Sequence, residues 1–119
     1  MLLILAPIRE LEPANRNIEI TAVREYAREQ VAPAQWFCLD ELWHRESSWQ
    51  TKKRPWLAIN RSSGAYGIPQ SLPADKMATK GKNYRVNPYT QVDWGLSYIA
   101  ERYGLPCNAL NHHNKKGWY

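Results

Sequence analysis

Pro33-Ala34-Gln35-Trp36-Phe37-Cys38-Leu39-Asp40-Glu41-Leu42-Trp43-His44-Arg45-Glu46-Ser47-Ser48-Trp49 is the stretch whose reading decides the fold. Proline is tolerated in the first turn of a helix, where its missing N–H has no partner to lose, and the spacing predicts a helix from Pro33 or Ala34 to about Glu46. Leu39, Leu42 and Trp43 fall on one stripe. Glu46 follows Leu39 by seven positions and Leu42 by four, so its carboxylate leaves the helix along the apolar face. An acid placed there is partly dry and sits at the negative end of the helix macrodipole, and both effects disfavour its ionised form. The ordinary alternative is a boundary residue in a salt bridge with Arg45 or Arg61.

On the N-terminal side, residues 1–17, with Pro7 and Pro13, lack sustained periodicity and read as an extended arm. Ile20, Val23, Ala27 and Val31 then recur at helical spacing, which predicts an amphipathic helix over 18–31. On the C-terminal side, residues 50–73 read as loop, with Pro55, Asn60, Gly64, Gly67 and Pro69, and a short helix is expected over 74–81. Asn87-Pro88-Tyr89-Thr90 opens a helix over 91–103 whose apolar positions are Val92, Trp94, Tyr98 and Ile99, and Gly104 stops it. Pro106 to Tyr119 reads as a polar tail. The expectation is a mainly α, single-domain protein over 18–119, with 119 residues in all leaving no room for a separate binding module.

Six Trp and seven Tyr against one Phe favour rings that join a flat apolar face to a polar edge. Such rings suit carbohydrate, although core packing explains most individual tryptophans equally well. A net charge of +5 draws the chain to polyanions. The basic residues are scattered, with Lys52-Lys53-Arg54 and Lys115-Lys116 as the only runs, so no nucleic-acid partner is expected and a wall polymer bearing carboxylates and phosphates fits better. Cys38 and Cys107 are too few for a zinc site. A disulfide is the leading reading, with two buried thiols as the alternative, and the closed loop would stabilise the fold by about 4 kcal/mol in the chain-entropy model. His44, His112 and His113 are read as solvated rather than as metal ligands, and no metal or other cofactor is expected. Met1-Leu2-Leu3-Ile4-Leu5-Ala6-Pro7 is too short for a membrane span and lacks the basic start of a signal peptide. Neither membrane insertion nor a signal peptide is therefore expected. Export by another route, through a phage holin or in a virion, is one expectation; a domain cut from a longer protein and a misplaced start are the others.

Leu42-Trp43-His44-Arg45-Glu46-Ser47-Ser48-Trp49 resembles the Glu-Ser motif of the soluble lytic transglycosylase family, within the lysozyme-like superfamily. Ser63-Gly64-Ala65-Tyr66-Gly67-Ile68-Pro69-Gln70 resembles its following Gly-Leu-Met-Gln motif. An actinobacterial or actinophage branch is closer still, through Leu72-Pro73, Lys76-Met77-Ala78, Asn87-Pro88, Thr90-Gln91, Trp94-Gly95-Leu96, Tyr98-Ile99, Arg102-Tyr103-Gly104, Pro106-Cys107 and Gly117-Trp118-Tyr119. The resemblance covers about 34–119. It departs at the family's third motif, Ala-Tyr-Asn-x-Gly, where the chain reads Ala109-Leu110-Asn111-His112-His113-Asn114. The usual tyrosine is missing, and Trp118 or Tyr119 would have to replace it.

The resemblance implies a small lysozyme-like fold of the goose-lysozyme type, with a cleft for the peptidoglycan glycan strand, acting as a monomer outside the cell, in the wall or delivered by phage. It implies that Glu46 protonates the bond between N-acetylmuramic acid and N-acetylglucosamine, then acts as base toward the muramic C6 hydroxyl and closes a 1,6-anhydro ring. Ser47, Tyr66, Gly67, Ile68 and Gln70 are the implied glycan-binding residues. For Ser47 a helix-end role is an equal alternative, and Asn60 and Ser63 read as turn builders. Trp49 and Trp56 read as packing first and stacking platforms second. A hydrolase needs a second carboxylate about 5 Å away, or about 6.5 to 9.5 Å if inverting. Asp75, Asp93 and Glu101 are the candidates, and none lies in a motif of the cleft. A lysozyme-like muramidase and a non-catalytic wall-binding or virion module remain the competing readings.

Overall fold

The computed structural model describes residues 17–119. The arm expected over 1–17 lies, apart from Asn17, outside the described residues. Four α-helices make up most of the rest: α1 (Ile20–Glu29), α2 (Pro33–Ser47), α3 (Pro88–Tyr103) and α4 (Pro106–Lys116), with 3-10 turns at Pro55–Leu57 and Ala74–Thr79. The fold is mainly helical, as expected. Among the described residues β pairing is confined to isolated antiparallel bridges from Tyr66 to Ile59 and Ser71, and no helix is long and apolar enough to cross a membrane.

Helix α1 is shorter than the periodicity predicts, because the Gln30 N–H turns back to the Ala27 carbonyl and tightens the last turn. Val23 and Ala27 are its buried face. Helix α2 starts on Pro33 and buries Leu39, Leu42, Trp43 and Ser47. It ends where Ser48 adopts φ +60° and donates its N–H to the His44 carbonyl. That stop leaves Glu46 in the final turn, on the side that carries the core.

Asn87 caps α3 by accepting from the Tyr89 N–H at 2.9 Å. A Cβ on Gly95 would lie 2.5 Å from Cζ2 of Trp43, so α3 packs this closely on the Trp43 ring only because position 95 has no side chain. Val92 and Ile99 join Leu39, Leu42, Trp43, Trp49, Trp56 and Ile68 in the main core. Trp49 and Trp56 are therefore packing residues. Trp43 and Trp49 meet edge to face with centroids 5.1 Å apart.

The segment expected to be a polar tail is instead helix α4. Its sequence offers two buried apolar residues, Pro106 and Ala109, and a partly buried Leu110, too few to produce a visible period. What holds the helix is tertiary: it docks along α2, its most extensive helix contact, and Cys107 is joined to Cys38 in a disulfide that closes a separation of 69 residues. Pro106 opens it and Gly117, at φ +82°, ends it.

One buried side chain ties the long loop to this frame. Gln91 of α3 accepts from the Ile68 N–H at 2.9 Å and donates to the carbonyls of Trp56 at 3.0 Å and Tyr84 at 2.7 Å. The fully buried amide thus satisfies three backbone groups that would otherwise be stranded inside.

Candidate active site

The end of α2, the loop around residues 60–76, one face of α3 and the C-terminal residues enclose an open cleft of about 230 Å³. Glu46 enters it from α2 with its side chain 17% exposed. Burial raises its carboxyl from 4.5 to about 7, in the direction the helix stripe predicts. Arg45 is not its partner, because that guanidinium binds Glu41 at 2.9 Å and also Asn114, and Arg61 is exposed. The polar group against Glu46 is His113 of α4, whose Nε2 lies 3.0 Å from Oε2.

His113 overturns the reading of the tail histidines as solvated. Winding 106–116 into a helix against α2 carries His113 inward, where its side chain is 15% exposed, and it leaves His112 half-buried against the rings of Tyr103 and Trp118. Desolvation first, then the charge of Arg45 and the neighbouring His112, lowers the His113 pKa from its usual value. The imidazole is thereby held neutral.

Opposite the acid, α3 presents Trp94 and Tyr98, stacked with centroids 5.1 Å apart and planes 20° from parallel. Both were legible as apolar positions of α3, but as site residues sequence reasoning missed them. The available signal was that Val92 and Ile99 already supply the core face, which leaves Trp94 and Tyr98, one turn apart, for a different surface. Tyr119 closes the cleft floor: its hydroxyl accepts from Trp43 Nε1 at 3.0 Å and donates to the Pro69 carbonyl at 2.9 Å. Tyr98 fixes the same residue by donating to its backbone oxygen at 3.1 Å. Trp118 stands half-exposed on the rim.

The residues implied for glycan binding separate into two groups. Gln70 lines the cleft, in a left-handed conformation at φ +57°, with its amide nitrogen committed to the carbonyls of Ala58 and Gly67. Tyr66, Gly67 and Ile68 do not line it. Tyr66 is buried and donates to the Arg85 carbonyl at 2.8 Å, Ile68 is in the core, and a Cβ on Gly67 would fall 2.4 Å from Oε1 of Gln91. These three build the wall from behind and set the path of the loop to Gln70. Ser47 is buried in α2 and donates to the Trp43 carbonyl at 3.1 Å, which is the helix-end role. Asn60 and Ser63 form the turn through hydrogen bonds to the N–H groups of Ser62, Ser63 and Ala65, and Asn60 also borders the cleft.

Glu46 is the one acidic side chain among the described residues that line this cleft. Asp75 and Glu101 are exposed, and Asp93 faces a separate pocket, where it accepts from the Tyr26 hydroxyl. Among the described residues no cluster of three or more His, Cys, Asp and Glu is placed to hold a metal ion. The arrangement brings a proton donor near neutrality, an apolar ring surface and polar groups into one cleft. No family model matches the chain, and no curated protein or solved structure matches it either.

Proposed function

We propose that this protein is a lytic transglycosylase with a lysozyme-like fold, cleaving the β-1,4 bond between N-acetylmuramic acid and N-acetylglucosamine without adding water. The observation that carries the reading is the solitary buried Glu46, raised to about 7, in a cleft walled by Trp94 and Tyr98. A glycosidic oxygen needs a proton as its bond breaks, and an acid with a pKa near the working pH both holds and releases one. Sugar C–H faces pack on aromatic rings such as this pair.

With one acidic side chain lining the cleft among the described residues, the substrate supplies the rest. Glu46 gives its proton to the departing N-acetylglucosamine oxygen as the bond to muramic C1 breaks, and the acetamido oxygen of the same muramic residue stabilises that carbon from the opposite side. The Glu46 carboxylate then takes the proton of the C6 hydroxyl, and O6 bonds to C1 as the acetamido oxygen leaves. The ring closes as a 1,6-anhydro sugar, and Glu46 returns to its starting form. The disulfide between Cys38 and Cys107 fits a protein that works in an oxidising, extracytoplasmic setting such as the cell wall.

Digestion of purified peptidoglycan followed by mass analysis tests the proposal. Anhydro-ended muropeptides from the wild type, absent with Glu46→Gln, are expected. Reducing ends heavier by one water would identify a muramidase instead. Glycan binding that survives Glu46→Gln, with no new muropeptide from either protein, would identify a binding module.

A further inference from the structure

We propose that His113 is the positioning residue for Glu46: its neutral imidazole presents Nε2–H to Oε2 of the carboxyl group, which leaves the transferable proton on Oε1. The consequence for turnover rests on the reading of Glu46 as an acid, whereas the coupling between the two side chains does not.

The geometry assigns the tautomer. Nε2 lies 3.0 Å from Oε2, and both side chains are largely buried. The other ring nitrogen, Nδ1, is buried with no hydrogen-bond partner. A proton on Nδ1 would strand a buried donor, and stranded N–H groups are rarer in folded proteins than stranded acceptors. The proton therefore belongs on Nε2, aimed at Glu46. An imidazolium would add the stranded N–H as well as a charge beside Arg45 of α2 and His112 of α4, whose influence lowers the His113 pKa together with burial. From α3 and the C-terminus the pair is faced by the hydroxyl-bearing rings of Tyr98 and Tyr119, both held in the neutral phenol form by burial.

A neutral N–H donor at Oε2 serves both forms of the acid. When Glu46 is protonated, Oε2 is its carbonyl oxygen and accepts from His113, so the proton resides on Oε1. When Glu46 has given the proton away, the same N–H donates to a carboxylate, a stronger bond than to a neutral carboxyl. His113 thus orients the acid and favours its ionised form against the burial that opposes it. Its position, within Asn111-His112-His113-Asn114, is where the chain departs from the third motif of the family it resembles.

The test is a carboxyl NMR titration of isotopically labelled glutamate, with the Glu46 signal assigned by its loss in Glu46→Gln, on wild type and His113→Phe. Phenylalanine keeps the ring and removes the donor. The Glu46 midpoint is expected to rise by about one pH unit in His113→Phe, and kcat on peptidoglycan to fall at least tenfold with KM little changed. His113→Gln, which restores an N–H, is expected to bring the midpoint back toward wild type. A role in packing alone would leave the midpoint unmoved. If His113→Phe does not fold, His113→Ala makes the same comparison. An unchanged midpoint in the folded variant overturns the inference. A wild type that makes no muropeptide while the midpoints still differ overturns the proposed reaction alone.

Discussion

Replacing Glu46 by Gln should stabilise this protein, and by an amount that depends on pH. Gln is nearly the same size, so the core contacts of α2 are kept while the titration is removed. In the unfolded chain the Glu46 carboxyl titrates near 4.5, and in the fold burial moves it to about 7. Between those values the folded state holds a proton that the unfolded state has released. Stability therefore falls as pH rises through this window and levels off above about 7. The gap amounts to about 3 kcal/mol at about 1.4 kcal/mol per pH unit.

Urea denaturation of wild type and Glu46→Gln at intervals from acid to mildly alkaline pH measures the difference directly. Below pH 4.5 the two should be close, since both side chains are then neutral in either state. Above about 7 the variant should be more stable by about 3 kcal/mol, a rise in Tm on the order of 10 °C for a domain of this size. Groups that titrate elsewhere contribute to both curves and cancel in the difference. Parallel curves, with the gap changing by less than about 0.5 kcal/mol across the window, would refute the claim that Glu46 is held uncharged by burial. A stabilised but inactive variant would also mark the acid as a group retained for function against stability.

If the proposed reaction holds, the same displacement sets its alkaline limit: kcat/KM on peptidoglycan should fall about tenfold per pH unit above about 7, and a limit below pH 5 would contradict it. Reducing the disulfide, or replacing both cysteines by serine, should remove about 4 kcal/mol from the folding free energy, given the separation of 69 residues. Equilibrium denaturation with and without reductant checks this, and a loss under 1 kcal/mol would contradict the loop-closure account. Gln91→Leu should cost about 2 to 4 kcal/mol, because it strands the Ile68 N–H and the Trp56 and Tyr84 carbonyls. Urea midpoints would show a near-neutral effect if those groups found other partners.

Helix α2 and the position of Glu46 were legible in the sequence because a strong local pattern and the tertiary burial agree there. Leu39, Leu42 and Trp43 mark the stripe, Pro33 the start, and the acid follows at the right interval. Helix α3 was legible for the same reason, with Asn87 and Gly104 as its punctuation. Helix α4 was not, since Pro106 and Ala109 are its only buried residues and its stability comes from α2 and from a disulfide whose effect on local conformation no periodicity records. That one gap hid His113, which reaches Glu46 only when 106–116 is helical. The loop shows the reverse fault. Tyr66, Gly67 and Ile68 stand beside Gln70 in sequence and were grouped with it, yet the turn at Gly67 alternates their directions, so Gln70 faces the cleft while the other three pack behind it. Gln91 was passed over because a glutamine on a helix is ordinarily exposed, and only the path of the loop gives it three partners.

The composition of the cleft wall bears on how one residue can serve both halves of a reaction. Among the carboxyl and phenol groups that line the cleft, burial moves Glu46 up to about 7 but moves Tyr98 and Tyr119 upward from values already near 10. The phenols are thereby kept protonated where the acid is half-ionised, so neither can act as a base or an anionic nucleophile near neutrality. The two-carboxylate hydrolytic routes need a second acid near the first, and Asp75, Asp93 and Glu101 do not line this cleft. In the proposed reaction, a group that gives its proton to the leaving oxygen becomes a base within reach of muramic C1. With the nucleophile on the substrate itself, as its own C6 hydroxyl, no second protein base is required. The same burial that makes Glu46 a usable acid makes its conjugate carboxylate a stronger base than an exposed one, so in the proposed reaction one side chain serves both proton transfers.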